Sequence, residues 1–299
     1  MSTLRYTLLE DRGVLALEGA DARVFLQGLV SNDVNKAGPS RAIHAALLTP
    51  QGKYLHDFFV VEFAGALLLD CERARLADLK RRLGLYKLRA QVTLADRSDT
   101  LAVAVLWGEG ALSALSLPDE AGTARALPSG VVFADPRLAA VGARAIMPKN
   151  DLRATAQAAG FGESDAGDYD RARIGLGLPD GSRDLEIEKA ILLENNFDEL
   201  NGIDWSKGCY MGQELTARTK YRGLVRKRLM PVAIEGPAPA FDAPVLLGDQ
   251  EAGEMRSSLN GVGLALLRLE KVEQALASGT PLTAGEAKLT PRKPAWAKF

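Results

Sequence analysis

The chain has 299 residues, of which 47% are hydrophobic and 25% charged, as expected for a globular protein of about two domains. Its 37 Lys and Arg residues nearly balance 38 Asp and Glu residues, so the net charge of −1 excludes recruitment of nucleic acid or membrane by a global field. The N-terminus lacks a secretory signal, no apolar run could span a membrane, and the two cysteines, Cys71 and Cys209, form no disulfide framework. We therefore expect a reducing, cytosol-like compartment.

The first part of the chain predicts mixed strands and helices. Residues 45–70 have the pattern of a β-meander, with a turn at PQGK. Alternation in its middle strand places Asp57 among apolar side chains, where a carboxylate without partners is costly. Leucines at helical spacing then predict a helix over residues 72–83 that Gly84 closes. The next strands are QVTLAD and LAVAVLW, and the second is apolar enough to be central in a sheet.

The remainder of the chain continues this mixture. Residues 108–130 are rich in Ala, Gly, Ser and Pro and predict a variable connection. VVFAD and RAIMP indicate strands, and residues 150–159 and 166–174 indicate helices. From residue 225 to 299, short apolar runs separated by Gly, Pro and Asp favour a small β-barrel or a sandwich. Because strands and helices do not alternate regularly, the predicted fold class is α+β.

The stretch KGCYMGQE, residues 207–214, combines a cysteine with local backbone freedom. Gly208 and Gly212 permit a positive φ or the close approach of a ligand. The following residues predict a helix from Gln213 to Arg222, which Gly223 can terminate.

Cys209 lies just before that predicted helix. Free amide groups at a helix start favour a thiolate, as does a nearby ammonium group from Lys207. This arrangement predicts an accessible thiol with a lowered pKa. The alternative is a small buried side chain, which is the common role of an isolated cysteine.

Basic residues are concentrated around this helix. Between positions 207 and 228 the only acid is Glu214, and the seven cations are Lys207, Arg218, Lys220, Arg222, Arg226, Lys227 and Arg228. They form either a solvated helix face with a basic linker or a surface for a polyanion such as a polyglutamate tail or RNA. No aromatic-interleaved RNA motif supports direct nucleic-acid binding.

The motif KGCYMGQELTARTKYRG resembles the signature K-G-C-Y/F-x-G-Q-E of the YgfZ-type, folate-binding iron–sulfur cluster assembly and repair proteins, relatives of the glycine-cleavage T-protein. The segments GADARVFLQGLVSNDV, RIGLGLPDGSRDLEIEKAILLENNFDELNGIDWSKGCY, GEMRSS and PRKPAW extend the resemblance over nearly the whole chain. RDL and LTAR look most like the branch with the mitochondrial 4Fe–4S assembly factor.

The resemblance implies an α+β, T-protein-like fold in which two interlaced subdomains surround a central folate cavity. It implies a folate-binding body over residues 1–224, with an inserted subdomain over about 45–148, and a C-terminal β-barrel over 225–299. It also implies that the chain binds tetrahydrofolate and helps to make or restore 4Fe–4S proteins.

The resemblance also assigns site residues. Cys209 is the functional thiol and a transient, shared iron–sulfur ligand, with Lys207 beside it. Glu194 in LLENN matches a T-protein glutamate that recognises the pterin, and the other implied folate-site positions are Asp57, Tyr210, Gln213, Glu214 and Arg218. In GKYLHDFFV, Asp57 is the second position of the T-protein pair G-G-x-x-D-D-L-x-V, and His56 replaces the first. This difference argues against aminomethyl transfer.

Three classes of function are consistent with these residues. The leading hypothesis is a factor for 4Fe–4S assembly that is not a conventional enzyme and works with iron–sulfur scaffold or carrier proteins and client enzymes. The second is a folate-dependent one-carbon transferase or demethylase that uses Asp57 for proton transfer. The third is an RNA-binding module built on the basic residues, although effects on tRNA modification also follow indirectly from the first. We expect a bacterial cytoplasm, or the mitochondrial matrix if the protein is eukaryotic.

Overall fold

The structure is a computed structural model that describes residues 4–223 and 225–299. The chain divides into two compact units, each assembled from separate segments. The first unit comprises Met1–Leu48, Leu55–Tyr169 and Leu200–Met211. The second unit comprises Thr49–Tyr54, Asp170–Glu199 and Gly212–Phe299.

A five-stranded sheet carries the predicted meander. Its order is β3-β4-β5-β2-β6, and the strands are β2 (Arg12–Glu18), β3 (Ile43–Leu48), β4 (Tyr54–Phe63), β5 (Ala66–Glu72) and β6 (Thr93–Asp96). The meander is therefore confirmed, since β3, β4 and β5 are neighbours. Residues 54–61 of β4 are all buried, which shows that both faces of this strand are covered.

The other sheet of the first unit has six strands in the order β11-β1-β7-β10-β9-β8. They are β1 (Arg5–Leu8), β7 (Ala102–Trp107), β8 (Ala124–Leu127), β9 (Gly130–Ala134), β10 (Ala143–Met147) and β11 (Gly162–Glu163). Strand β7 lies between β1 and β10, as its apolar sequence predicted. The segment 108–130 is more ordered than expected, because it contains β8 and a short helix, α3 (Ala111–Ala114).

The two sheets share one apolar core. Side chains from β2, β4 and β5 pack against side chains from β7, β9 and β10 in a single buried cluster that includes Phe59, Val103 and Phe133. The opposite face of the five-stranded sheet packs against the helices α1 (Ala22–Gln27) and α2 (Leu76–Lys87). This arrangement buries β4 on both sides.

Helix α2 differs from its prediction at both ends. It begins at Leu76 rather than at residue 72, because Glu72 ends β5 and Arg73–Arg75 form a 3₁₀ turn. Gly84 was expected to close it, but the helix continues through Gly84 to Lys87. The buried face ends with Leu83, so the last turn extends beyond the apolar pattern that the sequence displays. The predicted helices over 150–159 and 166–174 are confirmed as α4 (Lys149–Ala158) and α5 (Ala166–Gly175).

The second unit contains a closed β-barrel, which decides between the barrel and the sandwich. The strands pair in the order β12-β15-β14-β13-β16-β17, and β17 pairs back with β12. They are β12 (Lys227–Glu235), β13 (Pro244–Leu247), β14 (Gln250–Leu259), β15 (Val262–Arg268), β16 (Leu282–Ala284) and β17 (Ala287–Pro291). Closure pairs every strand on both sides and leaves no open edge. Two helices also belong to this unit, α6 (Gln213–Tyr221) and α7 (Leu269–Ser278).

Within the described part of the chain, none of the helices combines the length and apolar character that crossing a membrane requires.

Candidate functional site

Cys209 lies in an irregular segment of the first unit and is exposed to solvent. The sequence predicted that Gly208 permits a positive φ or the close approach of a ligand. Its φ is not in the left-handed region, and no described atom outside its two chain neighbours lies within 4 Å of the position its Cβ would take, so the approach of a ligand stays a prediction. The fold therefore does not require glycine at 208, and the missing side chain leaves open space next to the thiol.

Lys207 anchors this segment. Its side chain is buried, and Nζ donates to the carbonyl oxygens of Gln27, Val30 and Asn32 at 2.7, 2.5 and 2.9 Å. Burial lowers the pKa of Lys207 to about 8, whereas the three carbonyl oxygens favour the protonated form. The ammonium group thus holds residues 27–32 against the Cys209 segment. Its expected role beside the thiol stays a prediction.

Two side chains after the cysteine also fix the segment. The Tyr210 ring is buried, and its centroid lies 5.1 Å from the Lys207 ammonium, a cation–π distance. Met211 packs against the core of the first unit, and the Tyr86 hydroxyl donates to its sulfur at 3.0 Å. Cys209 is therefore an exposed residue between two anchored neighbours, Lys207 and Tyr210.

Helix α6 begins at Gln213, as predicted, after Gly212 with φ +79°. A Cβ at Gly52 would lie 2.7 Å from the Gly212 carbonyl oxygen, so the PQGK turn packs closely against this helix start within the second unit. Arg218 Nη2 donates to Glu214 at 2.5 Å, and their side chains are 48% and 83% exposed. Glu214 and Arg218 thus pair with each other on the solvent side of the helix, and the folate roles of Gln213, Glu214 and Arg218 stay predictions.

Glu194, the predicted pterin-binding residue, belongs to the second unit. It lies in a short 3₁₀ turn, Leu193–Asn195, and is half-buried. Among the described residues it forms no hydrogen bond or salt bridge. Burial raises its pKa, while the positive charges of Lys227 and Lys53 act in the opposite direction. A partly buried carboxylate in this state can accept hydrogen bonds from a ligand at little cost to the fold.

Asp57, unlike Glu194, has a carboxylate that is buried and hydrogen-bonded within the protein. It is 5% exposed, and its Oδ2 lies 3.0 Å from Nε2 of His44, a buried residue on β3. Burial lowers the pKa of His44, so near neutral pH the uncharged imidazole donates to the carboxylate. The alternation in β4 predicted a cost for burying Asp57, but no sequence signal identified His44, which stabilises the carboxylate.

Buried charges surround Phe59 behind this pair. The guanidinium carbons of Arg144, Arg137 and Arg12 lie 4.1, 4.9 and 5.8 Å from its ring centroid. Two carboxylates pair with these three cations at 2.6 to 2.8 Å, Asp70 with Arg12 and Arg144, and Asp135 with Arg137. This network was not predicted, because it joins Arg12, Asp70 and residues 135–144, which are far apart in sequence, and each member resembles a surface charge.

The other histidine also has a structural partner. His56 is buried, and its Nε2 lies 2.9 Å from Oδ2 of Asp78 on α2. Burial lowers the pKa of His56 to about 4, and the positive charge of Arg75 acts in the same direction. His56 and Asp57 point to opposite sides of β4, so they form no catalytic pair.

The predicted cationic surface over 207–228 is wrong in two places. Lys207 is buried against backbone carbonyls, and Arg228 is 6% exposed with a bidentate pair to Asp198 at 2.7 and 3.0 Å. Lys227 pairs with Glu254 at 3.6 Å. Burial and pairing disperse the charge that the sequence places in one run.

Across residues 4–223 and 225–299, no three His, Cys, Asp or Glu side chains come together as a metal site. Cys209 is therefore not part of a preformed ligand set within the described chain.

Comparison with known proteins gives two mammalian relatives of the same name. The chain is 35% identical over 288 residues to "Iron-sulfur cluster assembly factor IBA57, mitochondrial" of Mus musculus, and equally to that of Homo sapiens. Each alignment covers 90% of this chain and 78% of the relative. The family described as "CAF17, C-terminal beta-barrel domain" matches residues 226–299.

A solved structure supports the fold. The chain resembles the glycine cleavage system aminomethyltransferase T from Bartonella henselae with a TM-score of 0.75, over 99% of this chain and 87% of that one. At 13% sequence identity this similarity concerns the fold alone, and it confirms the predicted α+β, T-protein-like class with a C-terminal barrel. On the sequence relationship, the chain belongs to the family of IBA57 iron–sulfur cluster assembly factors.

Proposed function

We propose that this protein is a tetrahydrofolate-binding factor for the assembly or repair of 4Fe–4S proteins, in which Cys209 is a transient cluster ligand or a redox thiol. The observation that carries the proposal is the exposed Cys209 beside the open space at Gly208. Family membership supports the process, since the relatives are named for iron–sulfur cluster assembly.

A single thiolate cannot hold a 4Fe–4S cluster, which needs about four ligands. The described residues offer no group of three ligating side chains to complete the set. The cluster is therefore cargo, and scaffold or carrier proteins and client enzymes supply the other ligands. The compartment that fits this role is the bacterial cytoplasm or the mitochondrial matrix.

Glu194 supports the folate part of the proposal. Its half-buried carboxylate has no protein hydrogen bond among the described residues, and it can accept paired N–H groups of the kind that a pterin ring presents. Bound tetrahydrofolate would supply a reduced pterin ring able to carry one-carbon units. Lys53 and Lys227 place positive charge near Glu194, which helps to keep it ionised.

The one-carbon transferase alternative has less support. It requires a carboxylate near the folate that can exchange protons. Asp57 is 5% exposed and hydrogen-bonded to His44. Its carboxylate is therefore already engaged within the protein and poorly placed to exchange protons with a folate.

The decisive experiment is complementation of a strain that lacks this protein, with the activity of a 4Fe–4S enzyme as readout. Cys209→Ser should lose at least about 10-fold of the restored activity, because no other exposed thiol is available in the chain. Cys71→Ser is the matched control and should retain activity. Full restoration by Cys209→Ser would overturn the thiol's role.

Tetrahydrofolate titration tests the second part separately. Glu194→Ala should weaken binding by about 10- to 100-fold, the usual loss for a charge-assisted hydrogen-bond acceptor. Glu286→Ala, at an exposed turn in the barrel, is the control and should bind as wild type does. Equal affinities for wild type and Glu194→Ala would remove Glu194 from the folate site.

A further inference from the structure

The end of helix α2 exposes a group of large apolar side chains. Leu85, Tyr86 and Leu88 are 66%, 42% and 90% exposed. Single exposed apolar residues are common, but three within four positions form a patch of the kind that mediates binding. Leu88 also has φ +42°, a backbone conformation that is costly for a leucine. We call Leu85, Tyr86 and Leu88 the α2 apolar surface.

This surface lies beside the functional thiol. The Tyr86 hydroxyl donates to the Met211 sulfur at 3.0 Å, and both residues belong to the first unit. Met211 is two residues from Cys209, so their Cα atoms are at most about 8 Å apart. A protein bound at the α2 apolar surface would therefore reach the thiol without a movement of the fold.

Positive charge borders the surface. Between residues 79 and 95 the chain has no acid, and its cations are Lys80, Arg81, Arg82, Lys87 and Arg89. Arg81 and Arg82 pair with Asp78 at 2.5 and 2.7 Å. Lys87 and Arg89 are exposed and form no salt bridge among the described residues. The unpaired charge at this end of α2 is therefore positive.

We propose that the α2 apolar surface docks an acidic protein that donates or receives the iron–sulfur cluster handled by Cys209. This inference rests on the proposed function. The partner presents an apolar pocket to Leu85 and Leu88, and carboxylates around that pocket face Lys87 and Arg89. Apolar contact supplies the affinity, and complementary charge selects and orients the partner.

An anionic membrane is the other surface with matching chemistry. The adjacent thiol favours a protein, because a cluster on Cys209 needs about three more ligands and lipid headgroups supply none of the thiolate type. The docked protein supplies both the remaining ligands and the apolar contact.

The test is complementation of the deletion strain with the double variant Leu85→Asp, Leu88→Asp. We expect at least a 10-fold loss of restored 4Fe–4S enzyme activity (about 1.4 kcal/mol or more in binding). Leu276→Asp is the matched control, because Leu276 is 65% exposed on α7 of the barrel, and it should restore activity fully. Thermal unfolding, tetrahydrofolate binding and alkylation of Cys209 should be unchanged in the purified double variant.

A photo-cross-linker at position 88 identifies the occupant. The expected adduct is an acidic iron–sulfur protein, and Lys87→Glu with Arg89→Glu should abolish it. Restoration by the double variant equal to wild type would overturn the proposal, as would an adduct with a basic protein. Binding of the purified protein to phosphatidylglycerol–phosphatidylcholine vesicles, lost in the double variant, would assign the surface to membranes instead.

The Cys209→Ser result distinguishes failure of the docking surface from failure of the proposed function. If Cys209→Ser fails and the leucine variant restores activity, the proposed function stands and the docking surface is wrong. If Cys209→Ser restores activity, the thiol role is wrong whatever the leucine variant does.

Discussion

The two cysteines lie in regions of opposite character. Cys71, on β5, is buried, its sulfur contacts the Gly13 carbonyl oxygen at 3.7 Å, and burial raises its pKa to about 12. Cys209 is exposed between anchored neighbours, with open space at Gly208. The same side chain is thus a small core residue in one region and an available thiol in the other.

Two carboxylates show the same contrast. Asp57 is buried and hydrogen-bonded to His44, next to a network in which each guanidinium has a carboxylate partner. Glu194 is half-buried and has no such partner among the described residues. Groups whose hydrogen bonds are satisfied by the protein maintain the fold, whereas groups left unsatisfied but reachable are available to ligands.

The largest expected effect is on the stability of the buried charges around Phe59. Asp70→Asn should lower the free energy of unfolding by about 3–5 kcal/mol, because it removes the buried carboxylate that pairs with both Arg12 and Arg144. Asp168→Asn breaks an exposed pair with Arg5 and should cost less than about 1 kcal/mol. Urea unfolding of both variants checks this, and equal losses would show that the Phe59 network is not essential.

The pH dependence of stability tests the other face of β4, where His56 is buried against Asp78. The pKa of His56 is about 4 in the folded protein and about 6.5 when unfolded. Between these values the unfolded chain binds more protons, so stability should fall as pH drops from 6.5 to 4, by on the order of 3 kcal/mol. His44, whose pKa is also lowered by burial, contributes in the same direction.

The control for this dependence is His56→Gln, which keeps a hydrogen-bond donor near Asp78 but cannot titrate. Urea unfolding from pH 7 to pH 4.5 should show a shallower slope for the variant than for wild type. A slope unchanged in His56→Gln would show that other groups cause the dependence.

Alkylation compares the two cysteines directly. In the folded protein, Cys209 should react with iodoacetamide at least about 100-fold faster than Cys71, because Cys71 is buried and its pKa is raised. Mass spectrometry of peptides at short times checks this. Similar labelling of both thiols would show that the core around Cys71 opens readily to solvent.

Glu194 distinguishes a ligand group from a structural one. Glu194→Gln should change the free energy of unfolding by less than about 1 kcal/mol, since it removes no hydrogen bond within the described chain. The same variant should weaken tetrahydrofolate binding, measured by calorimetry. A large loss of stability with unchanged folate affinity would show that Glu194, like Asp57, is a structural residue.

The smallest expected effect concerns the end of α2. Gly84→Ala should raise the free energy of unfolding by about 0.5–1 kcal/mol, because Gly84 is inside the helix and no described atom beyond its chain neighbours and the helix's own backbone lies within 4 Å of a Cβ there. Gly223→Ala, after α6 at φ +60°, should lower it by a similar amount. Destabilisation by Gly84→Ala would indicate that the helix ends where the sequence predicted.

The sequence predicted the elements whose signal is local. The meander, the central strand β7 and helix α6 follow from alternation, apolar runs and turn residues within each segment. The end of α2 was missed because the glycine rule is statistical and the packing of Leu83 does not fix where a helix stops. The strand β8 was missed because Ala-rich sequence with few large apolar residues gives no clear period.

By itself, the sequence determined the fold class, the family and the identity of the residue at the centre of the proposed function, Cys209, since a contiguous motif carries that information. Only the tertiary structure decided which charged groups form hydrogen bonds within the protein and which remain available to ligands. Lys207 proved to be an anchor, Asp57 pairs with His44, and the Glu194 carboxylate has no hydrogen-bond partner among the described residues. The physical reason is that hydrogen bonding and desolvation depend on neighbours distant in sequence, which no local pattern records.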